Sequence, residues 1–285
     1  MSDVAKKQHN STPAPPPAPI ALTIAGSDSS GGAGIQADLK TFAAFGVFGA
    51  SAITAATAQN TATVSDVRVF DPDFVDAQIR ACTQDLPIAA IKTGMLANAG
   101  VTRAVAAALA NIRTPGGVPP VLVVDPVMIA TSGASLLDRQ AVTTLIEELM
   151  PLASLITPNL PEAAALTGCA PGTDAEKMGA RLLDRGVRAV LIKGGHASGR
   201  TCRDLLLTQD VSTTFEWPRA AGEYHGTGCA YAAAIAALSA RGLPLGAAVE
   251  RAGTWLQQQI AAAFQPLHGR LRVLPFTRER DLNRK

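Results

Sequence analysis

The chain has 285 residues, 47% of them hydrophobic and 4% aromatic, and its formal net charge is +2. So small a charge and so few aromatic side chains argue against a protein that binds nucleic acid. No apolar run approaches the roughly 18 residues that a membrane-spanning helix needs, so we expect no membrane association. The length suits one large α/β domain as well as two small ones, and the hydrophobic content is ample for a core.

The two ends differ in composition from the rest of the chain. Residues 1–19 include a proline-rich stretch that cannot join a helix or a sheet, and they lack the apolar core of a secretion signal. We expect a disordered extension there, with a ligand for a proline-binding module as the less favoured alternative. Residues 268–285 are basic and predict a solvated tail, which leaves residues 20–267 as the folded domain.

The cysteines indicate the compartment. Cys82, Cys169, Cys202 and Cys229 are scattered along the chain and form no Cys-x-x-Cys pair. We therefore expect neither disulfides nor a zinc site, and a cytoplasmic location.

Strand and helix patterns alternate along the chain from residue 20. Helical spacing of Ile35, Leu39 and Phe42 predicts a first helix that stops at Gly46, and further helices begin at Asp71, Asn98, Asp138 and Thr173. An antiparallel pair is predicted at 204–208 and 213–217. The other predicted strands are 20–25, 49–58, 64–70, 88–92, 121–125, 155–157 and 189–193. This alternation predicts an α/β fold, with a mainly parallel sheet, helices on both faces and a small antiparallel edge.

Polar residues follow six of the predicted strands. Ligands of open parallel sheets bind beyond the carboxyl ends of the strands, so these residues are candidates for one site. They are Asp28, Gln59, Lys92, Asp125, Asn159 and Lys193.

A glycine-containing stretch, His225 to Cys229, runs directly into an alanine-rich helix that is apolar on nearly every side. The free backbone N–H groups and the positive end of the helix dipole favour a phosphate at such a turn. Cys229 lies in the first helical turn, where the dipole lowers a thiol pKa. Taken alone, a flexible turn before a packed helix with an inert cysteine explains the stretch equally well.

Seven motifs in register resemble those of the bacterial hydroxymethylpyrimidine/phosphomethylpyrimidine kinases, a family of the ribokinase-like superfamily that makes the pyrimidine half of thiamin. They are GSDSSGGAGIQADLKT (26–41), TAQN (57–60), KTGML (92–96), DPVM (125–128), TPNLPE (157–162), KGGH (193–196) and HGTGC (225–229). The resemblance implies a ribokinase-like fold and a homodimer. It also implies that ATP, with Mg²⁺, phosphorylates the hydroxymethyl group of 4-amino-5-hydroxymethyl-2-methylpyrimidine and then the resulting monophosphate.

The resemblance also implies roles for the phosphate-handling residues. The backbone of Gly226, Thr227 and Gly228 would hold the transferring phosphoryl group, and Cys229, with a pKa near neutral, would be the base. The nucleotide would contact Lys193, Asn159, Asp125 and Gly228. Magnesium would be held by Asp125 and, through water, by Glu162, whose alternative role is a first-turn glutamate that stabilises its helix.

For the pyrimidine, the resemblance implies a flat pocket in which Gln59 reads the ring edge and Asp28 bonds the hydroxymethyl or amino group. Gly26, Met95 and Val127 would form its apolar lining. Asp38 remains open, since a solvated helix aspartate explains it as well as a functional one. Two alternatives to the function remain: a vitamin B6 kinase of the same superfamily, and a pyrimidine-binding regulatory domain without catalysis.

Overall fold

The computed structural model describes residues 18–128, 139–196, 199–267 and 269–279. The strands within these ranges are β1 (Ile20–Asp28), β2 (Phe48–Gln59), β3 (Val64–Val69), β4 (Ile88–Thr93), β5 (Val121–Val124), β6 (Leu155–Ile156), β7 (Ala189–Ile192), β8 (Thr201–Thr208), β9 (Ser212–Pro218), β10 (Tyr224–His225) and β11 (Arg272–Val273). The helices are α1 (Gly34–Ala44), α2 (Pro72–Asp85), α3 (Ala99–Ala110), α4 (Arg139–Thr144), α5 (Leu160–Thr167), α6 (Ala175–Leu183), α7 (Thr227–Ala240) and α8 (Leu245–Ala261). Helix α4 continues through a π-helical turn (Leu145–Leu149) into a 3₁₀ turn (Met150–Leu152).

Nine of these strands form one sheet in the order β3-β2-β1-β4-β5-β6-β7-β8-β9. Strands β2, β1, β4, β5, β6 and β7 are parallel, which confirms the predicted α/β fold. The predicted antiparallel pair is β8 and β9, at one edge. Strand β3 is antiparallel to β2 at the other edge, which we did not predict. A short turn joins β2 to β3, and strands joined so directly must run antiparallel.

The two faces of the sheet carry separate hydrophobic cores. One core packs α2, α3, α4, α5 and α6 against the sheet. The other packs α1, α7 and α8, and residues 230–238 of α7 are all buried. Helix α7 contacts β1, β4 and β5 as well as α1 and α8, which explains why its sequence is apolar on every side.

The structure confirms some of the predicted helix starts and shifts another. Asn98 caps α3 by accepting a hydrogen bond from the N–H of Val101. Asp71 precedes α2 as predicted, but its side chain makes no capping bond. Helix α6 begins after Asp174 rather than at Thr173, because the Asp174 carboxylate accepts from two first-turn N–H groups. The predicted start at Asp138 and the extension at 1–17 lie outside the described residues.

The tail predicted from residue 268 onward is wrong for its described part, because residues 271–279 pack onto the domain. Leu274 is buried, and β11 pairs with β10 just before α7. The N–H of Thr277 donates to Gln259, and Glu279 forms ion pairs with arginines of α8 and the α7 end. These contacts outweigh the basic composition that suggested a solvated tail.

Candidate active site

A cleft of about 840 Å³ opens at the carboxyl edge of the parallel strands, a size suited to small-molecule ligands. It is lined by residues predicted from motifs that lie far apart in the chain. Asp125 lies just behind the wall and is 2% exposed. The predicted residues that line the cleft are Gly26, Asp28, Gln59, Met95, Val127, Asn159, Glu162, Lys193, Gly226, Thr227, Gly228 and Cys229.

The turn before α7 is built for a close backbone approach. Gly226 is the N-cap of α7 and has a left-handed φ of 74°. A Cβ at this position would overlap the carbonyl oxygen of Gly32, so the β1–α1 loop presses directly against the turn. Thr227 begins the helix, and the first N–H groups of α7 have no intrahelical partner. The turn can therefore bind an anion through the backbone and the helix dipole.

Lys193 and Asp125 stand beside this turn. Lys193 Nζ donates to Asp125 Oδ1 at 2.8 Å, and Thr157 Oγ1 donates to the same oxygen at 3.1 Å. A Cβ on Gly228 would lie 3.2 Å from Lys193 Nζ and 4.0 Å from Asp125 Oδ2. Burial tends to lower the pKa of Lys193, but Asp125 and Glu162 raise it overall, so the side chain is an ammonium. A positive charge thus lies next to the helix N-terminus.

Asn159 and Glu162 form a capping box at the start of α5. The Asn159 side chain accepts from the N–H of Glu162, and Glu162 Oε2 accepts from the N–H of Asn159, each at 2.8 Å. The alternative role of Glu162, stabilisation of its own helix, is therefore confirmed. Burial raises the pKa of Glu162 to about 7; Lys193 opposes the rise and the charge of Asp125 adds to it. Its carboxylate therefore interacts electrostatically with both Lys193 and Asp125.

The thiol of Cys229 does not have the near-neutral pKa that we expected. Burial raises its pKa to about 11, and the charges of Asp125 and Asp38 add to the rise. Lys92 and the N–H of Gly34 act in the opposite direction. Desolvation of the thiolate therefore outweighs the helix dipole.

Asp38 is not a solvated residue, because it is fully buried between α1 and the sheet. Its Oδ2 accepts from Lys92 Nζ at 2.9 Å and from Thr23 Oγ1 at 2.6 Å. Lys92, on β4, is also fully buried and lines the cleft. Our motif-based assignment gave Lys92 no role, although a lysine that ends the apolar run 88–91 was a signal of special burial.

The other end of the cleft has an apolar wall and a polar edge. A Cβ on Gly26 would lie 3.2 Å from Met95 Sδ, so these two predicted lining residues are neighbours. Gln59 Nε2 lies 3.5 Å from His225 Nε2, and Gln59 Oε1 accepts from Thr57. The edge thus carries an amide with a donor and an acceptor, as predicted for a heteroaromatic ring.

Asp28 is held by the protein itself. Oδ1 accepts from the N–H and hydroxyl of Ser30, while Oδ2 accepts from Ala33 N–H at 2.8 Å and contacts His225 Nε2 at 2.7 Å. Burial raises its pKa, yet these bonds, His225 first, lower it overall. Both oxygens hold His225 and the β1–α1 loop, and a bond from Asp28 to the acceptor stays a prediction.

Comparison with known proteins decides the family. The family model described as "Phosphomethylpyrimidine kinase" matches residues 28–273. The chain belongs to this kinase family. The kinase is 48% identical over 248 residues to the hydroxymethylpyrimidine/phosphomethylpyrimidine kinase of Rhizobium meliloti, with 86% of this chain and 91% of that protein covered.

Solved structures place the kinase in the same fold. The phosphomethylpyrimidine kinase of Clostridium difficile matches with a TM-score of 0.73 and 39% identity, covering 85% of this chain and 99% of that one. The pyridoxal kinase of Staphylococcus aureus, in complex with AMP-PCP and pyridoxal, matches with a TM-score of 0.82 and 29% identity over 93% and 96% of the two chains. The chain is therefore an enzyme with the predicted ribokinase-like fold, and these comparisons do not favour the non-catalytic alternative.

Proposed function

We propose that this kinase transfers the γ-phosphoryl group of ATP to 4-amino-5-hydroxymethyl-2-methylpyrimidine, and then a second one to the monophosphate, for thiamin synthesis. The observation that carries the proposal is one cleft that joins two parts: the helix N-terminus beside Lys193, and the pocket with Gln59 and Met95. Membership in the phosphomethylpyrimidine kinase family supports the same reaction.

In the proposed reaction, the turn at α7 carries most of the catalysis. Phosphoryl transfer has a loose transition state, so position and charge neutralisation matter more than covalent chemistry. The N–H groups of Gly226, Thr227, Gly228 and Cys229 stabilise the charge on the transferring group. Lys193 adds an ammonium and turns from Asp125 toward the nucleotide phosphates. Asn159 lies next to Lys193 in a β-bridge and lines the same region.

We assign the base role for the first step to Cys229. Its thiolate accepts the hydroxymethyl proton while the oxygen bonds to the γ-phosphorus. Because burial raises the pKa of the thiol to about 11, only a small fraction of the free enzyme holds the thiolate at neutral pH. The second step attacks through a phosphate that is already anionic, so it needs no base.

Mg²⁺ is the metal that we propose. No group of three or more His, Cys, Asp or Glu side chains arranged for a metal occurs among the described residues. Two carboxylates suffice for Mg²⁺, which keeps several waters and takes other ligands from phosphates. Asp125 and Glu162 fit, because Asp125 raises the pKa of Glu162 and a cation would relieve their repulsion. Bound there, Mg²⁺ would neutralise phosphate charge.

At the acceptor end we propose that Gln59 hydrogen-bonds the pyrimidine edge, while Gly26, Met95 and Val127 contact its faces. Asp28 also holds His225 against the loop. A small planar ring with amide-like edges requires fixed polar groups of this kind in an apolar slot.

The test is a product analysis by mass spectrometry. The enzyme is incubated with ATP, Mg²⁺ and the hydroxymethylpyrimidine, and separately with its monophosphate. We expect the monophosphate and then the diphosphate from the hydroxymethylpyrimidine, and the diphosphate from the monophosphate. One ADP should be released for each phosphate added. No phosphorylation of either pyrimidine, by an enzyme whose folding has been checked, would refute the proposal.

A vitamin B6 kinase activity is the second candidate. The match to a pyridoxal kinase bound to AMP-PCP and pyridoxal favours it, because its TM-score of 0.82 exceeds the 0.73 of the phosphomethylpyrimidine kinase. The identities rank the two in reverse, 39% against 29%, and support the pyrimidine. The ratio of kcat/KM for the pyrimidine to that for pyridoxal separates the candidates, and we expect it to exceed one.

We further infer a homodimer that works in the cytoplasm. Edge strand β3 exposes Val69, and Phe74 at the start of α2 is 54% exposed, so each offers apolar surface that a second copy could cover. The four cysteines are free, as suits a reducing compartment. Light scattering of the purified protein tests the dimer, and a monomer mass at micromolar concentration would contradict it. No helix among the described residues is long and apolar enough to cross a membrane.

A further inference from the structure

An ion pair lies at the wall of the active-site cleft, and the proposed reaction does not yet use it. Lys92 Nζ and Asp38 Oδ2 are 2.9 Å apart, and both side chains are fully buried. A buried ion pair is usually no more stabilising than apolar side chains of the same volume. Stability therefore gives little reason for these two charges, and a functional reason is needed.

The position of Lys92 brings its charge to the cleft. Strand β4 lies in the middle of the sheet, and Lys92 is paired in register with Thr23 of β1. The side chain lies on the face that α1 and α7 cover, where Asp38 of α1 receives its hydrogen bond. A Cβ on Gly94 would lie only 2.9 Å from Lys92 Nζ. The ammonium therefore sits at the end of the strand, in the wall of the cleft that Cys229 also lines.

Lys92 has hydrogen-bonding capacity to spare. Among the described residues, Nζ donates one hydrogen bond, to Asp38, although an ammonium has three donors. Asp38 Oδ1 is likewise buried without a hydrogen-bond partner in the described part of the chain. Unused donors on a buried charge are costly, so an anion that forms next to Lys92 is stabilised strongly.

The charges that face Cys229 come from several elements. Lys92 on β4 and Lys193 after β7 are positive, while Asp38 on α1 and Asp125 after β5 are negative. Among the neighbours, Lys92 has the largest effect in favour of the thiolate, and Asp38 acts against it. Lys92 thus lowers the pKa of the Cys229 thiol, whereas Asp38 raises it.

We propose that Lys92, held in place by Asp38, is a positioning residue that stabilises the Cys229 thiolate for the first phosphoryl transfer. The inference rests on the proposed base role of Cys229. In the step, the hydroxymethyl O–H bond breaks and its proton goes to Cys229 Sγ. The oxygen bonds to the γ-phosphorus of ATP, the bond from phosphorus to the β–γ bridging oxygen breaks, and ADP leaves. Lys92 keeps its protons throughout.

The first test measures Cys229 directly, without turnover. In a background with Cys82, Cys169 and Cys202 replaced by serine, the rate of alkylation by iodoacetamide is followed between pH 7 and 10. We expect Lys92→Met to slow alkylation by about tenfold, which corresponds to about one pKa unit. Asp38→Asn keeps the size of the side chain and the Lys92 contact, and we expect it to accelerate alkylation.

The two single variants are expected to change the alkylation rate in opposite directions. This makes the test specific, because a purely structural role would change the alkylation rates of both variants in the same direction. Unchanged alkylation in Asp38→Asn, or a slower rate, overturns the proposal. If Lys92→Met does not fold, the Asp38→Asn result decides alone. The double variant Lys92→Met with Asp38→Asn removes both charges, and its rate is expected between those of the single variants.

The second test compares the two phosphorylation steps. We expect Lys92→Met to lower kcat of the first step about tenfold more than kcat of the second. Equal losses in both steps would mean that Lys92 serves the phosphate site or the fold instead, and would overturn the proposal. If Cys229→Ala leaves the first step intact, the base role fails, whereas the alkylation rates still test the coupling of Lys92 to Cys229.

Discussion

Replacing Gly226 with alanine is the most direct perturbation of the proposed phosphate site. Gly226 has a φ of 74°, and this left-handed conformation costs a residue with a Cβ roughly 1–2 kcal/mol. The new Cβ would also overlap the carbonyl oxygen of Gly32, which belongs to the rigid backbone of the neighbouring loop. The turn must therefore move, by on the order of 1 Å, to avoid the overlap.

Such a displacement moves the N–H groups that face the transferring phosphoryl group. A misplacement of about 1 Å can cost about 100-fold in rate, so we expect Gly226→Ala to lower kcat at least about 100-fold. Both steps should fall together, because each transfers a γ-phosphoryl group at the same turn. Single-turnover assays with the hydroxymethylpyrimidine and with its monophosphate measure the two rates separately.

Gly242→Ala is the matched control at the other end of α7. Gly242 has a φ of 84°, but a Cβ there would meet nothing within 4 Å. The control therefore carries the same backbone strain without the overlap, so we expect it to lose only the stability that the strain costs, with kcat unchanged. Our reasoning would be refuted by a folded Gly226→Ala enzyme whose kcat stays within about threefold of the wild type in both steps.

Four further predictions address the base, the pocket and the chain end. Cys229→Ala should slow the first phosphorylation much more than the second, and equal losses measured by product analysis would contradict the base role. Because the pKa of this thiol is raised to about 11, the thiolate fraction grows with pH. In the wild type, kcat/KM of the first step should therefore rise about tenfold per pH unit between pH 7 and 9, and a plateau near pH 7 would contradict the raised pKa. Gln59→Ala should raise the pyrimidine KM strongly and leave the ATP KM nearly unchanged; an unaltered pyrimidine KM would remove Gln59 from the pocket. Leu274→Ala should lower the free energy of unfolding by about 2–5 kcal/mol in denaturant titrations. Leu267→Ala, at a 90% exposed position, serves as its control, and similar small losses in both variants would contradict the packing of 271–279.

Much of the fold could be predicted from local patterns. The alternation of apolar strands with helical spacing predicted the parallel sheet, and the predicted strands differ from the observed ones by at most three residues at either end. The direction of β3 was missed, because the apolar pattern of the strand does not show it. The short connection at 60–63 was the signal that could have found it, since parallel strands need a much longer crossover. The docking of 271–279 was missed because its contacts lie on α7 and α8, which composition does not reveal.

The candidate site could likewise be predicted only in part from the sequence. Motifs at strand ends identified residues that line one cleft, because the carboxyl ends of parallel strands meet at one edge of the sheet. The state of individual side chains was not accessible. Asp28 was expected to bond a ligand, but His225, 197 residues away, takes one of its oxygens. Asp38 was left open between two roles, and its partner Lys92 is 54 residues away.

By itself, the sequence determined the fold class, the strand-end edge that carries the site and the glycine turn before α7, since each follows from local spacing and backbone preference. Only the tertiary structure decided the charge environment of Cys229. A helix N-terminus favours a thiolate, but burial and the two nearby aspartates raise the thiol pKa to about 11 against it. Desolvation and charge depend on which groups the fold brings together, and no local pattern in the chain records that.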